Sequence, residues 1–406
     1  MRKTVGILLF VLLLPAFISN VGIGSGSLGL TPEHGEPKIF GRIAESRSSG
    51  LFSHAMLTGW CGGLANQYVQ AFQLKAFGDG ACTDYTTYNS QSGLQAAIFS
   101  VIIAAHASEW LLRLITAAFL ALALVLFCLW LYDEFGSTVA FVTAFGVLAL
   151  RGLVLVGDNI AHVFGIYFLI LACTCFAYEK KSAHIGSIVC CLMLFKYPLT
   201  GFEYVTAAWM MAFAPLAFYA VRDKFEAKQF RQHARKIGSA IAVATFVAIA
   251  ILTVQISVVS SPKEAVSHLT ERLQARTQFP TEGNRSVYYE SMKISTPALL
   301  KQYLSFDAIR VSNIRISFGM LTIFFVLITA GACLVYRKNR DRKLVSLAVM
   351  LWASVLVPLT WPLMFKGHAA FHTFIDPVIW HMPFTILGIA LTAATVRAAL
   401  KLRANP

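Results

Sequence analysis

Hydrophobic residues along this chain fall in ten runs, separated by short polar interruptions and two longer loops. The runs cover residues 5–23, 113–132, 138–157, 159–178, 185–199, 203–220, 237–258, 315–336, 344–364 and 377–396. Each approaches the roughly 20 apolar residues that cross a hydrocarbon core of about 30 Å. The pattern predicts an all-α polytopic membrane protein, a single transmembrane domain over residues 1–406 with about ten helices. Lys196, Pro198, Gly201 and Glu203 interrupt one long apolar stretch between the fifth and sixth runs and predict a broken helix pair there. The first run, following Met1, Arg2 and Lys3, also has the shape of a signal peptide. No clear small-residue cleavage site follows it, so a retained first span is expected.

Composition agrees with the pattern and narrows the function classes. The chain is 57% hydrophobic and 13% charged, against about 25% charged in soluble domains. Its 34 Lys and Arg exceed its 20 Asp and Glu, for a net charge of +14. These basic residues gather in short loops: Arg2 and Lys3, Lys180 and Lys181, six within 222–236, five within 337–343, and Arg397, Lys401 and Arg403. With ten spans and both termini inside, all of them fall on the cytoplasmic side, as the positive-inside rule requires. The Asp133-Glu134 turn is the one inside loop without a basic residue. The positive charge is therefore read as topology and contact with anionic lipid, and nucleic-acid binding is excluded as a function class.

Two long loops remain, both outside. The first, 24–112, opens with a Gly/Ser-rich linker at 22–29, holds Cys61 and Cys82, and ends in the apolar stretch 94–105. That stretch is short for a span and suits an interfacial or re-entrant helix. The two cysteines form a disulfide in an oxidising compartment or remain two free thiols. The second loop, 259–314, carries Arg272, Arg276 and Arg285 among its basic residues, together with Tyr288, Tyr289 and Tyr303. Its Asn284-Arg285-Ser286 sequon is treated as a chance match.

The chemistry-bearing residues gather at the outer ends of the spans. Asp158, Asn159 and His162 lie at the turn between the third and fourth. Lys196 and Glu203 bracket the next outer turn, and Lys366, His368, His372 and Asp376 form the last. Ionisable residues beside membrane spans mark candidate functional sites, whereas any one of them alone is a turn residue in a wet turn. Three such turns beneath two long loops describe an outward-opening cavity. His368, His372 and Asp376 share one face if helical. Without a glutamate directly after His368 the zinc-protease pattern is absent, and substrate binding is favoured over metal binding. In the first loop the acids are Glu33, Glu36, Glu45, Asp79 and Asp84. Among them Glu45 stands two residues from Arg47, placing a proton-accepting carboxylate beside a phosphate-binding side chain.

Four segments occur in order across most of the chain: Glu45-Ser46-Arg47, Tyr88 to Gln95 with Gln91 between them, Phe195 to Tyr204, and Lys366 to His372. In this arrangement the chain resembles a family of poorly characterised bacterial polytopic membrane proteins associated with surface polysaccharide. Its plan is more distantly similar to the C-type membrane glycosyltransferases. That resemblance implies an inverting glycosyltransferase at the outer face of the bacterial cytoplasmic membrane, using a polyprenyl-phosphate-linked sugar donor and a glycan or lipid acceptor. It implies no cofactor and no metal, since a phosphate held by Arg and Lys can leave without one. Glu45 takes the place of the catalytic base, with Glu36 second. Arg47, Tyr88, Gln91, Gln95, Asn159, Lys196, Glu203, Lys366, His368 and His372 take the place of substrate-binding residues. The chain lacks the acidic pair directly after the first span that many such enzymes carry. A polysaccharide polymerase or ligase is the alternative enzyme class. A transporter is the alternative outside enzymes, although the sequence shows neither repeats nor mid-membrane charges.

Overall fold

The computed structural model describes residues 1–20, 35–61, 82, 84–104, 108–277, 293–311, 314–373 and 375–404. The linker 22–29, Glu33, Asp79, the sequon 284–286 with Arg285, and Tyr288-Tyr289 lie outside the described residues.

The chain is an all-α polytopic membrane protein. Among the described residues, seven helices are long and apolar enough to cross a bilayer: Arg2–Ser19, Glu109–Phe135, Val205–Arg222, Ala227–Val259, Phe318–Asn339, Arg342–Met364 and Asp376–Ala404. Three further runs form the shorter helices Ser137–Leu148, Gly165–Glu179 and Ile185–Thr200. The shortfall has a local cause. The third run breaks after Leu148, resumes as the helix Arg151–Leu155, and then gives way to irregular chain up to Gly165. The helix Glu109–Phe135 packs on Gly165–Glu179, Val205–Arg222 on Arg342–Ser354, and Ala227–Val259 on Ile185–Thr200. Trp130, Trp361 and Trp380 are fully buried in the common apolar core.

One end of the bundle gathers the basic segments. Arg2 meets Asp133 at 3.0 Å, Lys343 meets Glu134 at 3.0 Å, and Arg222 also pairs with Glu134. Gly136, at φ 87°, lies against the Arg397 guanidinium. The acidic turn that looked exceptional in the sequence is thus neutralised by basic residues from three other segments, and this brings the chain's two terminal helices to the same end.

The long loops fold onto the opposite end, and they are not purely helical. The first contributes the helix Pro37–Ser49, called the loop helix below, an antiparallel strand pair Leu57–Trp60 with Thr86–Ser92, and the helix Leu94–Ala104. A Cys61–Cys82 disulfide ties it together. Closing a loop of 21 residues in this way is worth roughly 3 kcal/mol in the chain-entropy model. The second loop supplies the helix Pro262–Arg276, the helix Thr296–Ser305 and a second strand pair, Asp307–Val311 with Ile314–Ser317. Ser261 caps the helix Pro262–Arg276 by accepting from Glu264 N, with proline at the first helical position where no amide donor is lost.

Candidate functional site

The broken helix pair builds the floor of the site. The helix Ile185–Thr200 ends at Gly201, φ 59°, and Tyr204 takes a left-handed φ of 47° before the next helix begins. Lys196 is fully buried one turn from that end. Its ammonium donates to the carbonyls of Gly201 at 2.6 Å and Glu203 at 2.7 Å. It also stands 5.6 and 5.2 Å from the ring centres of Tyr167 and Tyr197. A cation on the carbonyls at a helix C-terminus satisfies acceptors that the helix cannot. Lys196 therefore holds the turn together through the backbone, whereas the sequence suggested a substrate-binding cation at the outward-opening cavity.

That turn presents the Glu203 carboxylate to two cations from distant segments. Arg276 stands 3.6 Å from one oxygen and His368 Nε2 3.3 Å from the other. The second imidazole nitrogen, Nδ1, lies 3.6 Å from Asp376. Asp376 is fully buried and accepts from Trp361 Nε1 at 2.8 Å, Tyr204 at 3.0 Å and Tyr303 at 3.5 Å. One imidazole thus bridges two carboxylates. Burial alone pushes the His368 pKa down, but Glu203 and Asp376 outweigh it and lift it to about 9, so the imidazolium is charged at neutral pH.

The His372 ring packs beside His368, 4.3 Å between ring centres and tilted by 38°. The helix carrying His368 is only Lys366–Phe371, His372 follows its last residue, and Asp376 opens a separate 3-10 turn. The three side chains meet across a break rather than along one helical face. Among the described residues no three His, Cys, Asp or Glu side chains gather as a metal-binding set. Lys366 stands half-buried at the start of the short helix.

Beside Glu203 the site turns positive. Arg276 donates to the Tyr88 hydroxyl at 3.1 Å, Lys38 stands 4.9 Å from the centre of the Tyr88 ring, and Arg272 stands 6.0 Å from it. Burial pushes the Tyr88 phenol up, yet Arg276 and Lys38 outweigh burial and hold it below its ordinary value. The three cations come from two loops, Lys38 more than two hundred positions from either arginine, and Lys38 and Arg276 are both buried. Lys38 and Arg272 carried no signal in the sequence beyond their charge.

The other expected residues serve as struts. Gln91 donates to the Leu199 carbonyl at 3.5 Å, and Gln95 donates to the Ile160 carbonyl. Gln91 pins the loop to the end of the helix Ile185–Thr200, and Gln95 pins it to the irregular chain before Gly165. The Asn159 side chain accepts from the amides of Ala161 and His162 at 2.9 and 2.8 Å, shaping the turn. Glu36 is fully buried and receives both Arg113 nitrogens at 3.0 and 2.7 Å, with the Ile160 amide at 3.0 Å. Burial lifts its pKa to about 7 against the pull of Arg113. With both oxygens engaged, Glu36 anchors the loop helix to the helix Glu109–Phe135 and is poorly placed to be a base.

Glu45 lies further along the loop helix. It is buried, with His54 Nε2 at 3.2 Å from one oxygen and the Ser48 hydroxyl donating to the other at 3.4 Å. Arg47 is exposed in the last turn of the same helix. Lys38 and Glu45 are seven residues apart, so they share a face and stand about 10 Å from each other along the axis. His54 was missed in the sequence. Its only signal is position, nine residues after Glu45 and beyond the helix end at Gly50. Comparison of the chain with protein-family models, curated proteins and solved structures finds no match.

Proposed function

We propose that this protein is an inverting glycosyltransferase of the bacterial cytoplasmic membrane, acting at its outer face. It crosses the membrane ten times with both termini inside, the shorter apolar helices completing the crossings that the seven long ones begin. The donor is a sugar on a polyprenyl phosphate and the acceptor a glycan or lipid hydroxyl. The observation carrying the proposal is the convergence of Lys38, Arg272 and Arg276 around Tyr88, where the loops meet the end of an apolar bundle. A phosphate whose chain lies in lipid and whose sugar lies in water meets cations at that depth. Cations on the leaving phosphate stabilise the charge that develops as the glycosidic bond breaks. Glu45 stands two helical turns further along the same face of the loop helix, about 10 Å in axial rise from Lys38, where the acceptor hydroxyl is activated.

The test uses the full chain in lipid nanodiscs with undecaprenyl phosphate as probe and neutral undecaprenol as control. Hydrogen bonds to charged groups are worth about 1.5–3 kcal/mol, so Lys38→Ala or Arg276→Ala should weaken phosphate-lipid binding by roughly ten- to a hundredfold. Equal binding of the phosphate and the alcohol by the unsubstituted protein defeats the proposal. The arginines contributed by the second loop also favour a polysaccharide polymerase or ligase, which transfers a glycan already assembled on its lipid. Turnover of a lipid-linked oligosaccharide in preference to a lipid-linked monosaccharide selects that reading.

A further inference from the structure

The most constrained turn among the described residues lies beside Glu45. His54, Ala55 and Met56 all take left-handed backbone, with φ of 48°, 49° and 62°, a region that strains L-residues. The surroundings hold the turn from several directions. The buried Arg42 guanidinium donates to the carbonyls of Leu51 and Ser53, both at 2.7 Å. Gln255, from the membrane helix Ala227–Val259, donates to the Ala55 carbonyl at 2.8 Å. Tyr85 donates to the Leu57 carbonyl at 2.8 Å, and its ring centre lies 4.8 Å from that of His54. Strain maintained this way fixes the orientation of a side chain, and here that side chain is the His54 imidazole. Its Nε2 faces Glu45, whose side chain is 4% exposed, while the His54 side chain is 37% exposed.

We infer that His54 is the general base of this site and that Glu45 is the positioning residue that holds it. The inference rests on the glycosyl-transfer reading above and changes which atom takes the proton. The carboxylate accepts from Nε2–H, which fixes one tautomer and leaves the Nδ1 lone pair on the side away from Glu45. The acceptor hydroxyl gives its proton to Nδ1 as its oxygen bonds to the anomeric carbon. The bond from that carbon to the phosphate oxygen breaks, its electron pair leaves with the polyprenyl phosphate, and the imidazolium returns the proton to water.

Two measurements on the full chain in nanodiscs decide it. The first needs no substrate: 15N-histidine labelling, with the His54 signals assigned by their loss in His54→Asn. The expected spectrum above the histidine titration shows His54 as one tautomer, protonated at Nε2, and Glu45→Ala gives a mixture of both. A wild-type His54 protonated at Nδ1, or a spectrum unchanged in Glu45→Ala, overturns the pairing. The second is turnover of a panel of undecaprenyl-phosphate monosaccharides. His54→Ala should lose 10²–10⁴-fold while still binding undecaprenyl phosphate as the wild type does. Glu45→Asp should retain more turnover than Glu45→Ala. Near-normal turnover in His54→Ala, with the variant eluting as folded protein, overturns the base. Wild-type protein that neither binds undecaprenyl phosphate nor turns over any donor defeats glycosyl transfer and the base role with it, and the tautomer measurement still decides the pairing.

Discussion

Raising the pH should remove one proton from the centre of the site, and the cost follows from the geometry around His368. Its imidazolium stands 3.3 Å from Glu203 and 3.6 Å from Asp376, and these contacts lift its pKa from 6.5 to about 9. A group whose folded-state value is raised contributes stability that is complete below its unfolded value and lost as the pH climbs through its folded value. The loss therefore begins near pH 6.5 and is complete above about 9. Each pH unit in that window is worth about 1.4 kcal/mol, so roughly 3 kcal/mol is at stake between pH 6 and pH 9.5. Trp361 is a local reporter, since its ring lies 5.2 Å from that of His368. Denaturation of the detergent-solubilised chain, followed by tryptophan fluorescence, should show a wild-type midpoint that falls across the window. His368→Gln has no proton to lose there, so the difference between the two profiles isolates this imidazole from Glu36 and other groups titrating nearby. Parallel profiles for the two proteins would refute the ionic bridge.

Two further outcomes test the frame around the site. Arg113→Met leaves the Glu36 carboxylate buried without its bidentate partner, and breaking such a pair costs about 3–5 kcal/mol. The variant should lose thermal stability and expose the loop helix to protease, with Arg113→Met/Glu36→Gln recovering part of the loss; a variant as stable as wild type refutes the anchor. Reporter fusions after Gly136 and after Lys343 should register cytoplasmic and a fusion after Ser260 external, and an external signal at Lys343 reverses the face on which the site lies.

The hydropathy pattern alone determined that the chain is helical and membrane-embedded, because burying backbone in lipid leaves few other ways to satisfy its hydrogen bonds. It also located the ionisable turns, since charge at membrane depth is costly enough to be conspicuous. It overstated the helices: the third apolar run breaks after Leu148, and the break depends on packing that hydropathy does not record. Which polar residues meet was decided only by tertiary structure. Glu203 and His368 are 165 positions apart, Lys38 and Arg276 further still, and their approach depends on how the bundle and both loops close. Lys196 shows the same limit from the other side, since its charge was plain in the sequence while its commitment to two backbone carbonyls depends on a turn geometry set by Gly201 and Tyr204. Glu45 was visible as an acid beside an arginine, but its partner His54 was not, because a pairing across a strained turn leaves no periodic trace in the residues that make it.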